Sequence, residues 1–259
     1  RRQRQMCIRD RLKGSYVVAK SKYAIYEKKV LPDNILIKNL RKAAKIYEQY
    51  AGKKILIVYA RGKRGPFYTY EFYAGEKNFQ HLAGVKSPQG AVWFFRKCLD
   101  DKNIVKREDI VPKKDIKTTS AKIGVLPDAI DLKNVKAYKF GKKDLITFKA
   151  EFDVALGNPS NIMGLAKRDE PLPIPVTVMD RSIYEFCSQA SPVFLIMTKD
   201  KKDDKYKNVF FERTKDILEK AEFNDEIWEL IEHQKEETEA DVKSIEMIEE
   251  VAATVEIIE

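Results

Sequence analysis

Cysteine, histidine and long apolar runs are all scarce in this chain, and each shortage removes a class of protein. The three cysteines, Cys7, Cys98 and Cys187, form an odd, scattered set. That argues against a disulfide framework and for a reducing, cytoplasmic compartment. No apolar run reaches the roughly 18 residues of a membrane helix. The longest, Lys54–Ala60 and Val193–Met197, have the length of strands, so no membrane partner is expected. The two histidines, His81 and His233, lie far apart, and no CxxC or HxxxH spacing occurs. No metal site and no cofactor is therefore expected. Phosphate loops are missing too. Arg61-Gly62-Lys63-Arg64-Gly65 lacks a GKS or GKT ending and sits in a predicted hairpin rather than at a helix N-terminus. No strained serine elbow is visible.

What is plentiful is charge, unevenly spread. The whole chain carries +9, residues 222–259 hold fourteen acidic groups against two lysines (net −12), and residues 1–11 hold a net +4, which leaves +17 on residues 12–221. A body so basic draws polyanions, of which nucleic acid is the commonest in a cytoplasm. Residues 1–11 (RRQRQMCIRDR) read as a translated library adapter, because ATG TGT ATA AGA GAC encodes Met6-Cys7-Ile8-Arg9-Asp10. They are set aside from fold reasoning; a natural basic arm is the other reading. The expected division is residues 1–11 adapter-derived, residues 12–213 a basic domain, and residues 214–259 an acidic helical extension.

The period of the apolar residues predicts an α+β fold, with an N-terminal helix, an antiparallel β meander, additional helices and an acidic C-terminal helical tail. Gly14–Val30 reads as helical in part. A helix then runs from an Asp33 N-cap through Ile37, Leu40, Ala44 and Tyr47 to Gly52. Lys54–Ala60 and Phe67–Tyr73 make a hairpin across the basic turn at 61–66. Asn78–Val85 is too short and mixed to type, and Ala91–Leu99 reads as a buried helix. Residues 100–134 form a Lys- and Asp-rich insert with a weak helical signal at Thr118–Val125. Strands follow at Val135–Phe140, Leu145–Leu156, Ile162–Lys167 and Val176–Met179. A helix is expected at Arg181–Ser188 and a closing hairpin at Val193–Lys199 and Tyr206–Glu212. In the tail, Ile227, Leu230, Ile231, Val242, Ile245, Ile248 and Val251 suit an amphipathic helix. It reads either as a solvated acidic helix or as a cover for the basic face.

The chemistry open to such a chain needs neither metal nor cofactor. RNA carries its own nucleophile, the 2′-OH. A base removes its proton, an acid protonates the leaving 5′-oxygen, and cations balance the charge on phosphorus. His81, the only histidine of the basic body, suits the proton steps, although a lone histidine is more often structural. Aromatics of the first hairpin offer faces for bases, although strand aromatics are more often core. Pro127-Asp128 with Asp131-Leu132-Lys133 has the letters of the PD-(D/E)xK nuclease pattern, but its halves stand too close for the strand hairpin that pattern needs.

Helix, strand, basic turn, strand and then Asn78-Phe79-Gln80-His81-Leu82-Ala83-Gly84-Val85 resembles the phage-associated nuclease-like domains of the barnase, EndoU, colicin and RelE-like group. One branch of that group carries a Phe-x-His-Leu-(Thr/Ala)-Gly signature. Ala155-Leu156-Gly157, Ile162-Met163-Gly164-Leu165, Pro175-Val176-Thr177 and a closing pair with Lys199 and Tyr206 are similar as well. The family more often shows Ser where Thr177 stands. The likeness covers about residues 33–213; the insert at 100–134 and the acidic tail depart from it. The resemblance implies a helix packed on an antiparallel meander and a metal-independent endoribonuclease of phage or mobile-element origin, with an antitoxin or another phage protein as a further partner. It implies His81 as general base or acid, with Lys199 stabilising phosphate and Tyr206 or Thr177 orienting it. Arg61, Lys63, Arg64, Tyr70 and Lys207 would bind RNA. If Phe79–Leu82 is extended, His81 shares a face with Phe79. A non-catalytic RNA-binding or inhibitor protein of a phage, or a phage structural protein docking through its tail, remains the alternative.

Overall fold

A computed structural model describes residues 30–61, 65–133, 139–145 and 151–232. Helix α1 (Asp33–Glu48) leads into the hairpin β1 (Lys54–Ala60) and β2 (Phe67–Tyr73). Next come α2 (Glu76–Ala83), β3 (Val85–Lys86), α3 (Ala91–Leu99), β4 (Val111–Pro112) and α4 (Ile116–Ala129). The meander β5 (Lys139–Lys142), β6 (Val154–Gly157), β7 (Ile162–Ala166) and β8 (Ile174–Met179) follows. The chain closes with β9 (Ser191–Lys199), β10 (Asn208–Glu212) and two short helices, α5 (Ile217–Lys220) and α6 (Asp225–Leu230). This is an α+β protein in which a layer of helices covers one face of an antiparallel sheet.

The sheet order is β2-β1-β9-β5-β6-β7-β8, with β10 also paired to β9. Its two edges curl back toward each other, so that the Tyr73 N–H donates to the Pro173 carbonyl at 2.8 Å. The alternation of β-strand side chains then divides the molecule into an inside and an outside. Ile55, Ile57, Phe72, Leu156, Met163 and Ile196 point into the main core, where they meet Leu36, Leu40 and Tyr47 of α1 and Phe79 and Leu82 of α2. Each such side chain contributes about 1.5–3 kcal/mol by leaving water. On the opposite face Leu56, Val58, Leu195, Met197 and Tyr206 form a second core. It is roofed by Ile217, Phe223, Ile227 and Ile231.

Several boundaries differ from the sequence expectation. Pro32, not Asp33, precedes the first turn of α1, and Asp33 is its first helical residue, pairing with Arg107 at 3.0 Å. The helix ends at Glu48, and Gly52 (φ 82°) belongs to the turn beyond it. The 100–134 insert is not a surface excursion. It supplies the whole of α4, capped by the Asp115 carboxylate on the Thr118 N–H, and buries Ile123, Leu126 and Ala129 in the main core. The Arg181–Ser188 helix is a single turn at Ile183–Glu185. Tyr206 lies ahead of β10, bridged to Ile231. The tail does not begin as one amphipathic helix: residues 217–231 fold as two short helices onto the outer core. Residues 233–259, and with them Val242, Ile245, Ile248, Val251 and His233, lie outside the described residues, as do residues 1–29, Lys63 and Arg64.

Candidate active site

The Phe-Gln-His-Leu-Ala-Gly run is the end of a helix, and its letters follow from that. At 3.6 residues per turn, Phe79, Leu82 and Ala83 fall on the buried side of α2, while His81 faces out and is exposed. The extended alternative is thereby corrected: Phe79 and His81 do not share a face. Gly84 ends the helix in the left-handed region (φ 70°, ψ 27°), a conformation open to glycine at little cost. Its carbonyl accepts from the Thr119 hydroxyl at 2.9 Å and from the Lys113 N–H at 2.9 Å. Two residues around α4 thus dock directly on the helix end that carries the histidine.

Gly84 does a second thing. A Cβ there would stand 2.8 Å from Cδ of Lys122, so the missing side chain lets the Lys122 stem run past the end of α2. Its ammonium reaches β8 and donates to Thr177 Oγ1 at 2.9 Å. His81, Lys113, Lys122 and Thr177 all line one cleft of about 550 Å³, within the usual span of ligand sites. Partial desolvation against the cleft wall lowers the His81 pKa below the ordinary histidine value, and the charges of Lys113 and Lys122 lower it further. The ring is therefore neutral at neutral pH, and a neutral ring nitrogen can accept a proton.

Of the other residues named from the sequence, Thr177 alone among those described joins His81 in this cleft. Lys199 and Tyr206 stand on the far side of the sheet. Leu195, Met197 and Lys199 alternate outward from β9, away from the helical layer. Tyr206 is wholly buried, donates its O–H to Glu71 Oε1 at 2.6 Å, and has its pKa pushed up by burial and by that carboxylate. The Lys199 ammonium sits 4.3 Å from the Tyr206 ring centre and donates to the Asp204 carbonyl at 2.7 Å. Lys207 pairs with Asp203 at 3.0 Å within the same turn. Arg61 lies at the far end of the first hairpin, 5.4 Å from the ring of the exposed Tyr68. Tyr70 packs on Phe140 on the inner face, and burial, with Asp153 and Tyr59 adding to it, pushes its phenol up to about 12.

Sequence reasoning missed Lys113 and Lys122 because both lie in the supposed insert. The signal available was Asp115 three residues before Thr118, a helix start, with Thr119, Ile123 and Leu126 then on one face. Among the described residues no cluster of three or more His, Cys, Asp or Glu side chains is placed to hold a metal ion. Nor does any helix among them have the length and apolarity to cross a membrane.

The fold is thus a helical layer on a curled antiparallel sheet, with a histidine and several cations lining a cleft beside β8. Residues 39–215 match the family model described as phage-Barnase-EndoU-ColicinE5/D-RelE like nuclease 4, and the chain belongs to that family. The span runs from α1 to just past β10 and holds every cleft residue named above. No curated protein and no solved structure matches the chain significantly.

Proposed function

We propose that this protein is an endoribonuclease of phage or mobile-element origin that cleaves RNA at this cleft by attack of the 2′-OH, without a metal. The observation that carries the reading is the exposed His81 sharing one cleft with the Lys122–Thr177 pair. His81 takes the proton of the 2′-OH. The 2′-oxygen bonds to phosphorus as the bond to the 5′-oxygen breaks, leaving a 2′,3′-cyclic phosphate and a 5′-hydroxyl. Lys122 and Lys113 balance the charge that develops on the phosphoryl oxygens, and the leaving 5′-oxygen takes its proton from one of these ammonium groups or from water. Thr177, held by Lys122, orients the phosphate as a hydroxyl donor. Arg61 and Tyr68, at the hairpin end, lie where a cation beside a ring can hold an unpaired base.

The test is incubation of single-stranded RNA in EDTA with wild type, His81→Ala and Lys122→Ala. Wild type should yield 2′,3′-cyclic phosphate ends, and both variants should lose at least about 100-fold in rate, the usual contribution of a positioned acid or base. A 2′-deoxy substitution at the cut site should block the reaction. RNA that is bound but left intact by wild type would instead make the protein a non-catalytic RNA binder.

A further inference from the structure

Two charges in the cleft run against the others, and one of them has no partner among the described residues. The cationic lining includes Lys113, Lys122, Arg168 and Arg181, yet two carboxylates, Glu151 and Asp180, face the same space. Glu151 has Arg168 at 3.9 Å, and Arg181 pairs with Glu185 at 3.0 Å, one turn on. Asp180 follows β8 directly and is exposed. Among the described residues its carboxylate makes no hydrogen bond and no ion pair, although Arg181 is its chain neighbour. In a cleft that holds phosphate such a charge weakens binding, because like charges repel at short range. The lining also holds two partly exposed apolar side chains, Val176 and Met179, which rest on the cluster of the buried Phe152 and Phe186. The cleft thus combines cations and His81 with partly exposed apolar surface and an unpaired acceptor.

We infer that Asp180 reads the nucleobase beside the scissile phosphate: the base lies on the apolar wall and donates its exocyclic amino group to the Asp180 carboxylate. The inference rests on the reading of the cleft as an RNA site and names its specificity. An ionised carboxylate only accepts hydrogen bonds. Cytosine presents an amino donor at position 4, where uracil presents a carbonyl acceptor. Uracil would set oxygen against oxygen, whereas cytosine satisfies the carboxylate and offsets the repulsion that the phosphate feels. The cleft therefore selects an amino-bearing base over uracil.

Fluorescence anisotropy with two 2′-O-methyl oligonucleotides, one of cytidine and one of uridine, reads this without cleavage. The full chain should bind the cytidine strand about tenfold more tightly, at the modest end of what a good base-edge contact discriminates. Asp180→Asn, whose amide both donates and accepts, should bring the ratio close to one or reverse it. Asp180→Ala should bind the uridine strand more tightly than wild type does. A ratio near one in the wild type, or one unchanged by Asp180→Asn, overturns the inference and leaves the RNA reading standing. Failure of both strands to bind overturns the two together.

Discussion

His81 and Gly84 are three residues apart and act as one device. The glycine lets α2 stop in a left-handed turn, lets its last carbonyl be held by Thr119 and Lys113, and leaves room for the Lys122 stem. Gly84→Ala meets both penalties at once. It should cost about 1–2 kcal/mol for the left-handed backbone and lower Tm by a few degrees, read by thermal denaturation. It should also displace Lys122, so that activity falls by more than the fraction unfolded; a lost Tm with full activity per folded molecule would sever Lys122 from the chemistry. The pH dependence of His81 has a definite sign. Its pKa lies below the ordinary histidine value, so if it acts as the base the acid limb of kcat/KM has its midpoint below about 6.5. An acid limb above 6.5, or one that persists in His81→Asn, would assign the proton transfer to another group.

The elements show why Tyr206 and Lys199 invite a catalytic reading and why the fold gives them another role. Both belong to the closing hairpin region, but β9 is a central strand and its alternate residues serve two different cores. Tyr206 falls on the outer one, with its hydroxyl spent on Glu71. Tyr206→Phe strands that carboxylate contact and should destabilise the protein by about 1–3 kcal/mol, seen in urea denaturation. Cleavage per folded molecule should not change; a large drop in turnover with the fold intact would return Tyr206 to the active site. The hairpin β1–β2, the buried α3 and strands β7 and β8 follow their sequence periods closely, because each is a local pattern of alternation or helical spacing, whereas β6 is only Val154–Gly157, at the end of the expected Leu145–Leu156. Helix α2 is hard to type because it is only two turns long, and α4 gives only a weak helical signal at Thr118–Val125, because threonine, glycine and Pro127 blur its helical pattern.

Across the whole molecule the basic body and the acidic C-terminus set the electrostatics. With +17 on residues 12–221 and −12 on residues 222–259, RNA binding should weaken steeply between roughly 50 and 200 mM salt as counterion release is lost. Flat affinity over that range would argue against phosphate contacts. Removal of residues 233–259, which carry nine acidic groups and two lysines, should tighten RNA binding at low salt if the tail competes for the basic body. The cut must spare residues 224–232, because Ile227 and Ile231 roof the outer core. Unchanged affinity in the truncated protein would make the tail a bystander.

Periodicity and composition by themselves determined the α+β class, the first hairpin, the antiparallel meander and the basic character of the body, while the resemblance carried by the His-Leu-Ala-Gly run pointed to His81, one of the residues that line the cleft. Those are properties of neighbours in the chain, where spacing decides which side chains share a face. What completes the cleft is non-local. Lys122 meets Thr177 across 55 positions, and Thr119 meets Gly84 across 35. Such pairs depend on where α4 docks, and that is settled by shape and burial in the core rather than by any local pattern. The same tertiary packing sends Lys199 and Tyr206 to the other face of the sheet, because a strand with two cores behind it offers no sequence sign of which face holds the helices.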